Sequence, residues 1–284
     1  GWTALHMAVM RQRTADVAAA LTAAAADAAA AGGGDGGVDE RVTGDGWARG
    51  YTALHVAAAV GGEAEVRQLV AAGADVGATV DDGNWRRTAL GVAAACGRVG
   101  VLRALVELGA DVNMRANETA LTAAARFGRE AAVAVLLDMG AAIDQLDGYG
   151  YSALHWAMMY KRDAVARLLI ARHADVNVKH RLGSTPMAVA AQYGNVAGVA
   201  MLCAAGADVN AADNYGWTAL MQAARDGHVE VVCELLRRGA DVTALAANGD
   251  DAMALAKLDS QWDVVSVLAA HTQQQQQQHD QQSQ

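Results

Sequence analysis

Gly216-Trp217-Thr218-Ala219-Leu220, followed at a fixed distance by Gly239-Ala240-Asp241-Val242, is the pair of short blocks that decides how this chain folds. Thr218 has equivalents at Thr52, Thr88, Thr119, Ser152, Thr185 and Asp251, with gaps along the chain of 36, 31, 33, 33, 33 and 33 residues. The second block has equivalents at Gly73-Ala74-Asp75-Val76, Gly109-Ala110-Asp111-Val112-Asn113 and Gly206-Ala207-Asp208-Val209-Asn210. A chain built from one recurring unit stacks its elements in a row, and each unit buries its apolar side only against its neighbours. The spacing divides this chain into eight units.

Between the two blocks runs an apolar stripe, Val231, Val232, Leu235 and Leu236 in one unit and Val101, Leu102, Leu105 and Val106 in another. Those spacings place the four side chains on one face of a helix. Each unit therefore holds two short helices. A Thr or Ser hydroxyl, as at Thr52 and Thr218, is suited to cap the first, and the next position takes Ala or, once, Pro186, both compatible with a first helical turn. Gly73, Gly109, Gly140, Gly206 and Gly239 end the second helix, where a left-handed residue is needed. His173 replaces that glycine in one unit, which predicts a strained helix end there.

The period and the two blocks together resemble the ankyrin repeat, whose signature T-P-L-H-x-A recurs about every 33 residues. The resemblance runs from Gly1 to about His271. It implies an all-α, ankyrin-repeat solenoid of helix-turn-helix units joined by projecting β-turn fingers. The first repeat is expected over residues 1–31, with its second helix extended through Ala-rich sequence; 32–49 is expected as a Gly-rich insertion loop and 50–271 as repeats two to eight. Residues 272–284, nearly all Gln, are expected to be a disordered tail. Gly1 stands in the middle of a repeat motif, so the sequence reads as part of a longer protein.

A formal net charge of -9 and the lack of a long Lys/Arg run argue against duplex nucleic acid as the ligand, since such binding rests on neutralising phosphates. No stretch approaches the roughly 18 consecutive apolar residues of a membrane helix, so direct membrane insertion is not expected. Cys96, Cys203 and Cys233 are far apart, which suits reduced thiols and a cytoplasmic or nuclear location.

Chemistry was sought among the eight histidines and the recurring carboxylates. His6, His55 and His155 each follow a capping Thr or Ser by three residues, within reach of its hydroxyl. No Cys or His pair has zinc spacing. The Asp of each Gly-Ala-Asp block is spread along the stack, one per unit, and reads as a turn former. No phosphate-binding glycine loop or nucleophile elbow is present. The sequence thus predicts no catalytic residue, no metal and no cofactor, and the chain reads as a binding protein, not an enzyme.

Recognition is expected on the fingers and on the first helices, where the resemblance places an ankyrin protein's partner. Of the 13 aromatic residues, Trp2, Trp47, Tyr51, Trp85, Tyr149, Tyr151, Tyr215 and Trp217 map to fingers, and Phe127, Tyr160 and Tyr193 to the ends of first helices. Trp156 and Trp262 fall inside helices and are expected in the core. Trp, Tyr and Arg dominate binding hot spots. The candidate protein-binding residues are accordingly Trp85, Arg87, Phe127, Tyr149, Tyr151, Tyr160, Arg181, Tyr193, Tyr215 and Trp217, with the stretch from Tyr149 to Trp217 the stronger segment. Arg86, Arg87, Lys179 and Arg181 make an acidic or aromatic-rich segment of another protein the expected partner, bound by a single copy of this chain. The alternative is an ankyrin region that regulates a larger enzyme or channel. The resemblance also implies that Asn113, Asn177 and Asn210 are possible hydroxylation sites.

Overall fold

The finger Thr, Ser or Asp, the small first-helix residues and the left-handed residue after the second helix, Gly in all but one case, set the local structure of the described repeats. The computed structural model describes residues 38–39, 41, 50–81 and 86–282. The expected first repeat and nearly all of the expected insertion loop lie outside these residues, as does Trp85. The chain divides into two compact units, Gly1–Tyr149 and Gly150–Gln284, whose described residues form the elements below.

The first unit contains α1 (Ala53–Val60), α2 (Glu63–Ala71), β1 (Thr79–Asp81), β2 (Arg86–Thr88), α3 (Ala89–Cys96), α4 (Val99–Glu107), α5 (Ala120–Arg126) and α6 (Glu130–Asp138). First helices pack on first helices, α1 on α3 and α3 on α5, and second helices on second helices, α2 on α4 and α4 on α6. The lengthened finger before Thr88 forms an antiparallel hairpin with Thr79 opposite Thr88 and Val80 opposite Arg87.

The second unit repeats the scheme with α7 (Ala153–Met159), α8 (Asp163–Ala171), α9 (Pro186–Gln192), α10 (Val196–Ala204), α11 (Ala219–Arg225), α12 (Val229–Arg237), α13 (Ala252–Leu258) and α14 (Trp262–Gln282). Here α7, α9, α11 and α13 form one layer, and α8, α10, α12 and α14 the other. Leu154, Leu169, Leu202 and Leu220 are fully buried between them. Each such side chain contributes about 1.5–3 kcal/mol by leaving water.

Caps follow the sequence with one exception. The side chains of Thr88, Thr119, Ser152, Thr185, Thr218 and Asp251 accept from backbone N–H groups in their helices. Thr52 makes no side-chain cap bond to α1; its hydroxyl meets His55 Nδ1 at 2.8 Å. His173 has φ 64°, the left-handed conformation the sequence predicts. Lys161 and Ser260 share this strain at φ 53° and 58°, one residue past the C-caps of α7 and α13, where α5 and α9 are followed by Gly128 and Gly194.

Two expectations about the end of the chain are overturned. Trp262 is not core but 63 % exposed. It opens its helix at the position held by Glu63, Val99, Glu130, Asp163, Val196 and Val229, none of which is buried. The tail expected to be disordered is helical as far as Gln282. Its first turns are docked through buried Val264 and Leu268. Adding Gln, a good helix former, to an existing helix avoids the cost of nucleation.

Candidate functional site

Three sets of hydrogen bonds tie successive repeats together within each unit, and they fix which side chains remain outside. At the fingers, Asn117 N–H donates to Arg86 O and Gly148 N–H to Asn117 O, both at 3.0 Å, and in the second unit Asn214 N–H donates to Leu182 O and Ala247 N–H to Tyr215 O. A Cβ on Gly183 would come within 2.8 Å of Asn214 N, and its φ of 85° is costly for any other residue. Behind the second helices, Asp111, Asp175 and Asp208 accept the N–H of the Asn two residues on, the turn-forming role expected of them. The Oδ1 atoms of Asn113, Asn177 and Asn210 then accept from Ala142, Asp208 and Asp241 N–H of the next repeat. These three asparagines are inter-repeat ties.

The third set could have been found in the sequence and was not. The residue just before four of the second helices carries a side-chain donor that reaches back to the preceding repeat: Arg98 to Ala59 O, Arg129 to Ala95 O, Asn195 to Met158 O and His228 to Gln192 O, at 2.9–3.0 Å. That column is visible as Arg98, Arg129, Arg162, Asn195 and His228 at repeat spacing.

The finger aromatics separate into two positions. Those directly after the finger glycine turn inward. Tyr51 is 4 % exposed, Tyr151 packs on His180, Trp156 and His155 with ring centroids 5.0, 5.3 and 5.9 Å apart, and the Trp217 ring lies 5.0 Å from the Arg225 guanidinium. Trp156 continues the stack to Tyr160 at 5.9 Å. Tyr149 and Tyr215, directly before the glycine, stay exposed, Tyr215 by 57 %. Phe127, Tyr160 and Tyr193 occupy one repeat position, the C-cap of the first helix, and all are exposed. Arg181 is exposed in its finger.

Repeat four departs from this plan. Glu118 stands where Tyr51, Tyr151 and Trp217 stand in other repeats, and its side chain is buried. Its carboxylate pairs with Arg126 at 3.0 Å and Arg87 at 3.6 Å. Burial nonetheless pushes its pKa up, so desolvation outweighs the pull of the two guanidinium groups. Arg87, expected as an open binding residue, is thus partly committed to this cluster. Arg126 also lies 4.5 Å over the Phe127 ring.

The buried histidines are structural. Ser152 N–H donates to His155 Nδ1 at 3.2 Å, so the ring proton is on Nε2, which donates to Ser184 O at 3.1 Å. The ring is neutral, and burial holds its pKa down at about 3. His55 is held at about 4 by the same cause. Among the described residues no group of three His, Cys, Asp or Glu side chains could hold a metal ion, and no helix is long and apolar enough to cross a membrane.

What this arrangement offers within each unit is surface: exposed aromatic rings and arginines on packed pairs of helices. A family model described as ankyrin repeats (3 copies) matches the chain over residues 33–116, 114–180 and 168–246. No curated protein matches it. With three quarters of the sequence under that model and a pair of short helices recurring in the described repeats, the chain belongs to the ankyrin repeat family, whose repeats mediate binding to other proteins.

Proposed function

We propose that this chain acts as an adaptor, scaffold or inhibitory binder that holds another protein along its fingers and its first-helix layer. One observation carries the reading. Of the exposed aromatic rings among the described residues, Phe127, Tyr149, Tyr160, Tyr193 and Tyr215 occupy only two repeat positions, and Trp262 alone lies elsewhere. Exposed rings confined to two repeat positions favour contact with a partner over random surface. Tyr160, Tyr193 and Tyr215 are assigned most of the affinity, with Arg181 beside them; Tyr151 and Trp217 hold the frame beneath. Three free cysteines, none fully buried, suit the reducing conditions of cytoplasm or nucleus.

The test is affinity capture from a cell extract with the parent chain and with a Tyr160→Ala, Tyr193→Ala, Tyr215→Ala variant, both checked for helicity by circular dichroism. A protein held by the parent and lost by the equally helical variant supports the assignment. Identical captures by both would overturn it.

A further inference from the structure

Within the first unit, three repeats line an open cleft of about 290 Å³. Its apolar lining comes from Tyr51, Val92 and Phe127, with Ala59 and Ala95 between them. The charged side chains that line it are Arg87 and Arg129, both cationic, in a chain whose formal net charge is -9. Arg129 Nε donates to Ala95 O at 2.9 Å, which anchors its guanidinium at the rim. Glu118, which pairs with Arg87, is buried and does not line the cleft. Cys96 is also among its lining residues and is exposed.

We propose that this cleft receives an acidic peptide segment of a protein partner, with an apolar side chain against Phe127 and Val92 and a neighbouring carboxylate on Arg129 and Arg87. The volume is at the low end of ligand pockets, roughly 300 Å³, which fits one or two side chains of a peptide. Charge complementarity selects the acid: a guanidinium takes a carboxylate by paired N–H···O bonds, and a lysine-bearing segment would be repelled. The proposal rests on the reading that the chain binds proteins, and it adds the chemistry of one contact.

Cys96 supplies a built-in reporter. The intact chain is treated with iodoacetamide, and alkylation at Cys96 is followed by mass spectrometry with Cys203 and Cys233 as references. The probe is the peptide acetyl-Glu-Leu-Asp-Phe-Glu-amide, beside its Gln/Asn counterpart and an oligothymidylate. The acidic peptide is expected to slow Cys96 alkylation at least threefold at saturation, less so at high salt, while the neutral peptide leaves it unchanged. Arg129→Gln is expected to weaken that protection by about tenfold, the size of one lost charge-assisted hydrogen bond. Arg129→Lys separates charge from bidentate geometry by restoring only part of it. Equal protection by the neutral peptide, protection by the oligothymidylate alone, or no protection at millimolar acidic peptide would each overturn the proposal. If Cys96 is unprotected while the tyrosine-dependent capture above succeeds, the cleft assignment fails and protein binding stands.

Discussion

Glu118 and Tyr151 fill the same finger position in consecutive repeats, and the fold solves that position in two different ways. Around Tyr151 the finger closes on rings, with His180 and Trp156 at 5.0 and 5.3 Å. At Glu118 it closes on charge, with two arginines around a buried carboxylate. Aromatic packing yields net stability, because apolar area leaves water and ring edges meet ring faces. A buried ion cluster yields little, because desolvation consumes most of the attraction, yet it is costly to break. The two repeats should therefore respond differently to mutation and to acid.

The largest effect is expected at the charged finger. Arg126→Met leaves Glu118 with one partner and should destabilise the chain by about 3 kcal/mol in urea unfolding. Arg126→Met together with Glu118→Leu should return to within about 1 kcal/mol of the parent. A double variant as unstable as the single would mean that the charges are not what sets this finger apart.

Acid should then separate the repeats in opposite directions. His155 has a folded pKa of about 3 against an ordinary 6.5, so its contribution is complete above 6.5 and is lost as the pH falls toward 3. By pH 5 the loss is about 2 kcal/mol. Glu118 is raised above its ordinary value, so the folded state takes up its proton first and acidification favours repeat four. Hydrogen exchange corrected for intrinsic rate should show α7 amides losing protection between pH 7 and 5 while α5 amides keep theirs. In His155→Gln the α7 loss should be much smaller.

Among the tyrosines, Tyr151→Ala should cost about 2 kcal/mol through lost packing. Tyr215→Ala should cost less than about 0.5 kcal/mol, as an exposed side chain. Similar losses for both, measured by thermal unfolding, would erase the division between rings that build the finger and rings that face a partner.

Much of the fold could be read from the sequence because ankyrin repeats are local: caps, stripes and end glycines all recur at one spacing. The left-handed His173 was legible because a glycine was missing from a known column, and Lys161 and Ser260 could have been read the same way. Thr52 was not: Ser152 makes the same 2.8 Å contact to the His three residues on and still caps its helix, so this sequence pattern does not separate the two. The site was less legible. Whether Tyr151 or Tyr149 is covered depends on the rings packed against it, and the cleft needs Tyr51, Arg87 and Arg129 from three repeats.

The most direct measurement is hydroxyl-radical footprinting of the chain alone and with the protein it captures. Recognition by the exposed rings requires oxidation of Tyr160, Tyr193 and Tyr215 to fall severalfold in the complex, with buried Tyr51 unreactive in both. Unchanged tyrosines, with protection confined to the second helices around Cys203 and Cys233, would contradict it.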